Sequence, residues 1–441
     1  MRTTIRSRVA MAGLAATSLV LAACGQGQNP ATDPGGGGDD GGGGNGDGQA
    51  TVRFSWWGSD GRHRLNEELI AVFESQHPNI DIVPDYTDWS GYWDKLSTTI
   101  AAGDAPDVIM QDERYLREYG SRGVLADLSQ YDIDTSEYEP SVLASGQFDG
   151  GLYGLSTGVN VYALMVNPRM LDEAGVEMPD DETWTWEDFH GITTAISENT
   201  EHYGFQSHAD TEQLTVWARQ HGGDLFSEDG GLGFSDAILE EYWDMSLALQ
   251  ESGAQPGASE TIEIAELGPE QSLLGTGSGA FGAWWTNQLT VIEGAAGEPL
   301  ELVRWPGESQ FEQPGTWLKS SMLLSMSSTT EHPEEAAMFI DWMNNSVEAG
   351  EIILSDRGLP SNLEVREAIM GDLPDAERRA AEFIADLEDE VAAPPPVPPV
   401  GASDVSEALG RFNEQVLFET LTPEEAAPAF RTEAESILGQ Q

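Results

Sequence analysis

The sequence predicts an α/β protein with more than one domain, and three observations carry that expectation. Residues 52–110 read strand, helix, strand, helix, strand, and strands separated by helices need crossover connections and therefore a parallel sheet. The chain has 441 residues, which is two or three domains' worth. Its 39% hydrophobic and 22% charged residues supply enough apolar surface to bury cores, which excludes a wholly disordered chain.

The chain opens with a positive segment (Arg2, Arg6, Arg8) and an apolar run from Val9 to Ala23, too short to cross a bilayer comfortably. The run ends Leu21-Ala22-Ala23-Cys24. An ordinary cleavable signal with a chance cysteine is one reading. The ending closely resembles a bacterial lipoprotein box, which implies a signal peptide over 1–23, cleavage before Cys24 and diacylglycerol on its sulfur. The mature protein would then sit on the outer face of the cytoplasmic membrane. Cys24 is the only cysteine, so an intrachain disulfide and a cysteine zinc cage are excluded. Residues 25–50 contain 12 glycines and no large apolar side chain. With Cys24 they form an expected flexible tether (24–50), with a reach of roughly 25–30 Å. Its Asp-Gly steps lack the glutamate that a calcium loop needs.

The globular elements follow in order. Val52 to Trp57 reads as a strand running into Gly58. Arg64 to Gln76 reads as a helix, with Leu65, Leu69, Ile70 and Phe73 on one face. His77-Pro78-Asn79 stops it, and Ile80 to Val83 is the next strand. Tyr92 to Ala102 is helical again, and Gly103 to Asp107 leads into the apolar Val108-Ile109-Met110. Further along, Thr185 with Asp188 three residues on caps a helix. Pro333 takes a first-turn position ahead of a stripe of Ala336, Phe339, Ile340 and Met343. Residues 392–400 are proline-rich and read as a stiff extended segment lying across the surface.

Charge is extreme: 77 Asp and Glu against 20 Lys and Arg give a formal net charge of −57. A basic face for nucleic acid is thereby excluded. The acids are spread along the chain, and only Lys95 and Lys319 are lysines. That pattern suits a protein kept soluble in high salt, where like charges are screened within a few Å. Catalytic motifs fare poorly. Gly154-Leu155-Ser156-Thr157-Gly158 matches a nucleophile elbow, but a strand-like run (159–166) follows where a hydrolase has a helix. The 7 histidines include no helical H-x-x-x-H pair for a metal, and so many carboxylates make accidental glycosidase-like pairs uninformative. No catalytic residue, cofactor or metal site is expected.

Eight segments fall in the order of one family: FSWWGSDGRH, QHPNIDIV, YTDWSGYWDKL, AAGDAPDVIMQDERYL, GLYGLSTGVNVYALMVNPRML, TWTWEDF, GSGAFGAWWTNQL and EHPEEAAMFIDWM. Together they resemble the extracellular solute-binding proteins of family 1, the sugar-binding components of ABC importers, over roughly residues 51–435. The resemblance implies a two-lobed periplasmic-binding-protein-like fold, with crossover hinge strands and a ligand cleft between the lobes. It places one lobe at 51–160 plus 305–350 and the other at 161–304 plus 351–441. It implies a monomer that binds a mono- or oligosaccharide by hinge closure and delivers it to ABC permease subunits, the membrane being met only through the lipid anchor. A secreted carbohydrate-active enzyme and a surface lectin are the alternatives.

In open parallel sheets ligands bind beyond the carboxyl ends of the strands. After the first strand come Trp56, Trp57, Asp60, Arg62 and His63; after the second, Tyr86, Asp88, Trp89 and Trp93; after the third, Gln111, Asp112 and Tyr115. Sugars suit such a mixture, because aromatic faces cover the C–H side of a ring while carboxylates, amides and arginine share its hydroxyls. In the second lobe Trp284 and Trp285 precede Asn287 and Gln288. Neighbours on a strand face opposite ways, so one tryptophan of each pair is expected in the core and the other at the cleft. Asn160 and Tyr162 lie at the expected hinge crossing, and Trp217, Lys319 and Arg357 complete the set. The opening WWG with Arg-His also resembles the oligogalacturonide-binding branch, in which Arg62, His63, Arg64, Lys319 and Arg357 would read a uronate carboxylate. A neutral oligosaccharide is the first expectation and an acidic one the second.

Overall fold

The computed structural model describes residues 49–439 apart from 208, 209, 266, 312 and 389. The signal peptide, Cys24 and nearly all of the expected tether lie outside the described residues.

Among the described residues twelve strands form two main sheets and a hairpin. In chain order they are β1 (Ala50–Trp57), β2 (Ile80–Thr87), β3 (Val108–Gln111), β4 (Gln147–Phe148), β5 (Gly151–Leu152), β6 (Leu155–Asn160), β7 (Tyr162–Val166), β8 (Tyr203–Gln206), β9 (Gly279–Trp285), β10 (Glu301–Val303), β11 (Lys319–Met326) and β12 (Leu359–Pro360). The first sheet has the order β12-β6-β11-β3-β1-β2, the second β10-β7-β9-β8, and β4 pairs with β5. As the alternation of elements required, β1 runs parallel to both β2 and β3. β11 and β6 extend that sheet antiparallel. The fold is α/β and two-lobed.

The first helix, Asp60–Gln76, starts four residues before the expected position, with an acidic residue in the first turn where the helix dipole favours it. Asp60, Arg62 and His63 therefore sit on its opening turn rather than in a loop. Leu69, Ile70 and Phe73 are buried as the stripe requires. Thr185 and Asp188 form a reciprocal capping box on the helix Trp186–Asn199. Pro333 opens the helix Pro333–Asn345, whose Ala336, Phe339, Ile340 and Met343 are buried.

Among the described residues the chain passes between the sheets at three places. β6 ends at Asn160 and β7 begins at Tyr162, so one residue separates the sheets there. A second passage joins β10 to β11. Trp305 and Trp317 still pack in the second core, while Leu318 packs in the first. The third is the proline-rich segment. Leu359, Ile369, Ile384 and Leu387 pack in the first core, whereas from Ala402 onward the chain packs with Leu214, Trp217 and Trp243. The expected lobe boundaries, which gave 305–350 to the first lobe and all of 351–441 to the second, thus differ from the packing at both places. The helix Asp375–Leu387 packs Ala381, Ile384 and Leu387 into the first core and Ala380 against Leu289 and Ile292 beside the second sheet.

Ser156 lies on β6, 2% exposed, and its hydroxyl meets those of Ser320 and Ser361 and the Gly158 carbonyl. Gly158 serves packing: a Cβ there would fall 2.2 Å from the Arg357 carbonyl oxygen. The strand context that argued against a nucleophile elbow is the one observed.

Candidate functional site: a cleft between the two sheets

A cleft with about 730 Å³ of empty space, its open mouth included, is lined by residues from both sides of the molecule. From the first lobe come Glu113 and Arg114, at the start of the helix that follows β3, together with Ser145 and Lys319. From the second come Thr211, Glu212 and Thr215 on the helix Thr211–Gln220, with Leu225, Phe226 and Trp317. Pro394 to Pro398, Ala402 and Ser406 close one side. The proline-rich segment expected to lie on the surface is thus a wall of the cleft. Its register is fixed by Arg219, whose Nη2 donates to the Ala393 carbonyl at 2.5 Å.

The charges are arranged in pairs. Asp112 caps the helix Glu113–Ser121 and accepts from the Arg114 backbone N–H and Nε at 3.1 and 3.0 Å. Burial alone would push Asp112 up, but Arg114 and Lys319 beside it hold it down at about 2. Glu113 is pushed up to about 7, first by burial, with Lys319 opposing and Asp112 adding to the rise. Lys319 Nζ donates to the Ser320 carbonyl at 3.0 Å, lies 3.8 Å from Glu113 and sits 5.4 Å from the Trp285 ring centre. Across the cleft, burial and then the neighbouring Glu212 push Asp210 up, although it accepts from the Gln213 N–H and the Tyr162 hydroxyl.

The expected site residues divide into four groups. Lys319 lines the cleft together with Trp317, and Trp285 lies behind them, its ring centre 5.4 Å from Lys319 Nζ and 6.3 Å from the Trp317 ring. Trp284, its strand neighbour, packs with Leu274, Leu289 and Ile292 on the opposite side of β9. Tyr162 is buried behind Trp285, bonded to Asp210. Gln288 accepts from the Trp285 N–H.

A second group is an aromatic cluster behind Arg114 that does not itself line the cleft, and Trp57, like Trp56, is buried rather than facing it. Trp57 contacts Trp89, Tyr92 and Trp93 at 5.0–5.5 Å between ring centres. Trp93 stacks on Tyr115 at 3.9 Å, and Arg114 lies over Trp89. Asp88 caps the helix Trp89–Ala101 through the Gly91 N–H. Gln111 is fully buried, and neither its amide oxygen nor its nitrogen has a protein hydrogen-bond partner.

The third group lies on the other face of β1, where its alternation sends Trp56. Trp56 is fully buried and donates to His63 Nδ1 at 3.1 Å, and His63 stacks on Tyr86. Arg62 is occupied by Asp356, through Oδ2 at 2.8 Å and the backbone carbonyl at 3.0 Å. Asp60 and Arg64 are exposed on that helix. Asn160 and Asn287 meet at a separate small cavity beside Thr286 and Gly358.

The last group belongs to the interior. Trp217 packs in the core with Leu214 and Tyr242 and donates to the Ile238 carbonyl. Arg357 is 0% exposed, donates to Asn66 and is lowered by burial to about 10. Neither presents a surface to a ligand. Among the described residues no group of three or more His, Cys, Asp or Glu is placed to hold a metal ion. Sequence reasoning passed over Glu113, Arg114, Glu212, Phe226, Trp317 and the prolines. Glu113 and Arg114 lay inside the DERY run already chosen for Asp112 and Tyr115, so those two were within reach.

Comparison with known proteins places this geometry in context. The family described as bacterial extracellular solute-binding protein matches residues 68–379. The diacetylchitobiose binding protein of Streptomyces coelicolor is 27% identical over 201 residues, covering 44% of each chain. The chain spans about half the length of the curated relatives it matches, 48% for the first. Among solved structures, an extracellular solute-binding protein family 1 from Alicyclobacillus acidocaldarius is 26% identical with a TM-score of 0.72, over 88% of this chain and 98% of its own. A periplasmic oligogalacturonide binding protein from Yersinia enterocolitica, in complex with saturated digalacturonic acid, superposes with a TM-score of 0.77 at 23% identity, over 89% and 99%. At that identity the likeness concerns the fold.

Proposed function

The chain belongs to the bacterial extracellular solute-binding protein family, and from that premise we propose that it captures a saccharide between its lobes and hands it to the permease of an ABC importer. The observation that carries the reading is the cleft itself. Residues of both lobes line it, with Trp317 and Phe226 against Glu113, Arg114, Glu212 and Lys319. Aromatic faces set against hydrogen-bonding groups are what a pyranose ring requires. A solute that touches both walls stabilises the closed arrangement over the open one by its differential contacts, and closure follows. The single-residue step between β6 and β7 and the passage from β10 to β11 are where such a movement is absorbed. No step of this function calls for a catalytic residue. The diacetylchitobiose binding of the Streptomyces relative supports a saccharide ligand. Lipidation at Cys24 would hold the protein at the outer face of the membrane.

A neutral oligosaccharide fits the charges better than a uronate. Arg62 is bonded to Asp356 and Arg357 is enclosed, while the two cations at the cleft, Arg114 and Lys319, already face Asp112 and Glu113. A carboxylate ligand would have to share a cation with a carboxylate that already lies beside it. The test is a thermal-shift screen in high salt with neutral α- and β-linked oligosaccharides, oligogalacturonides, and polyamines and peptides as non-sugars. A ligand at 100 times its Kd stabilises the fold by about 2.7 kcal/mol, a readable shift. A shift with a neutral series is expected; one confined to oligogalacturonides would reverse the charge argument, and silence across all sugars would overturn the saccharide reading.

A further inference from the structure

We propose that the hydroxyl side chains of the cleft meet the solute as acceptors, with Ser145, the outer end of a chain of four buried serines, taking the proton of one solute hydroxyl. The saccharide is then selected for the free hydroxyls it donates. The inference rests on the saccharide reading above and adds which side of those hydrogen bonds supplies the proton.

The first observation is a chain of hydroxyls running from the cleft into the first lobe. Ser145 lines the cleft at the end of the helix Pro140–Ala144. Its Oγ lies 2.5 Å from that of Ser320 on β11, and Ser320 donates to Ser156 on β6 at 2.8 Å. Ser156 in turn meets Ser361, just past β12, at 2.7 Å and the Gly158 carbonyl at 3.1 Å. All four serines are buried. The pairing of β11 with β6 shifts register between Ser320 and Met322, and such a bulge re-aims the side chains beside it. Ser320 is tied to the charges of the cleft as well. Its carbonyl accepts from Lys319 Nζ at 3.0 Å, and its backbone N–H meets the Glu113 carboxylate. One residue thus stands behind three groups of the first-lobe wall.

The second observation is where the protons go. A hydroxyl has one proton to donate and two lone pairs. The Ser320 proton goes to Ser156, so the contact between Ser320 and Ser145 uses the proton of Ser145. The other acceptor within its reach is the Val142 carbonyl at 2.7 Å. With either acceptor the proton is held inside the protein, and Ser145 offers the cleft a lone pair. The remaining hydroxyls that line the cleft behave alike. Thr211 donates to the Glu212 carboxylate at 2.9 Å, Thr215 to the Thr211 carbonyl at 2.6 Å and Ser406 to the Ala402 carbonyl at 3.2 Å. A solute hydroxyl that donates to Ser145 lengthens the chain behind it, and each hydrogen bond in such a chain polarises the next. A solute atom without a proton would set lone pair against lone pair.

The experiment is calorimetric titration of the full chain with di- and trisaccharides of the malto-, chito- and galacturono- series. The member that binds is then compared with its monodeoxyfluoro analogues, one hydroxyl replaced at a time, because fluorine is close to a hydroxyl in size and cannot donate. On wild type at least one analogue should lose about three- to tenfold in affinity, as expected for one neutral hydrogen bond. In Ser145→Ala the parent sugar should weaken by a similar factor, and that analogue should bind within about twofold of the parent. Ser145→Cys keeps the shape, puts a weakly accepting sulfur in place of the oxygen and serves if Ser145→Ala does not fold. Unchanged affinity of the variant for the parent sugar, or the same penalty for every analogue in variant and wild type, would overturn the assignment and leave the saccharide reading standing. Failure of every series to bind wild type would overturn both.

Discussion

Replacing Arg219 with methionine tests how the cleft wall is held. The Arg219 side chain is 2% exposed and makes three connections. Nη1 donates to Asp224 at 2.6 Å, Nε to the Gly315 carbonyl at 3.1 Å and Nη2 to the Ala393 carbonyl. Its guanidinium also lies 5.7 Å from the Trp317 ring centre. Methionine keeps the stem and removes the charge. Deleting one partner of a buried pair costs about 3–5 kcal/mol, chiefly because the other charge is left alone. Asp224 is 17% exposed and keeps the Leu225 N–H, so the low end, about 3 kcal/mol, is expected. Urea unfolding followed by tryptophan fluorescence measures it. In an Asp224→Asn background the same substitution should cost only about 1 kcal/mol, since two carbonyls lose donors but no charge is stranded. Burial already raises Asp224 against the pull of Arg219. Without the arginine it rises further, so the variant should recover stability as pH falls and the carboxylate takes up a proton. With Ala393 released, the proline wall loses its tether and saccharide affinity should fall as well. A loss below about 1 kcal/mol, or no coupling with Asp224, would refute the reasoning and leave the wall held by its own stiffness.

Two further outcomes follow from the charges. Glu113 has a native value of about 7 against the ordinary 4.5, so the folded state holds this proton more tightly than the unfolded chain. Its contribution is fully present below about pH 4.5 and lost as pH rises through about 7. Glu113→Gln should therefore gain on wild type over that window, by at most about 3 kcal/mol; parallel pH–stability curves would count against a buried, raised carboxyl. The net charge of −57 sets the other. Raising NaCl from 0.1 to 1 M shortens the screening length from about 10 to about 3 Å, so the thermal midpoint should climb. A flat or falling midpoint would show that the acidity is not a source of self-repulsion.

Local pattern carried much of this fold. The stripe Leu69, Ile70 and Phe73 and the alternation at Trp284 and Trp285 are written in neighbouring residues, so the sequence shows them. Burial of a particular side chain is not local. Trp217 and Arg357 have the residue types of a sugar site, yet their positions were decided by Tyr242 and Asn66, which are distant or on other elements. Arg62 likewise meets a partner 294 residues away. The rest of the cleft was illegible for the same reason. Glu212, Trp317 and Pro396 are separated by about eighty residues or more in each step and meet only after both lobes have formed.

The proline segment shows why position decides what a composition means. Read alone, residues 392–400 are a stiff spacer, and stiffness is what a connection between two cores needs if it is not to fray. Set in the cleft, the same chemistry acquires a second consequence. Proline has no backbone N–H, so Pro394, Pro395, Pro396 and Pro398 offer a ligand ring surface and carbonyl oxygens but no main-chain donors. Donation to hydroxyl oxygens falls to the opposite wall, where Arg114 and Lys319 are held by Asp112 and Glu113. On the proposed reading, a solute entering between them would meet an apolar, accepting face on one side and a donating face on the other, which would orient it before closure.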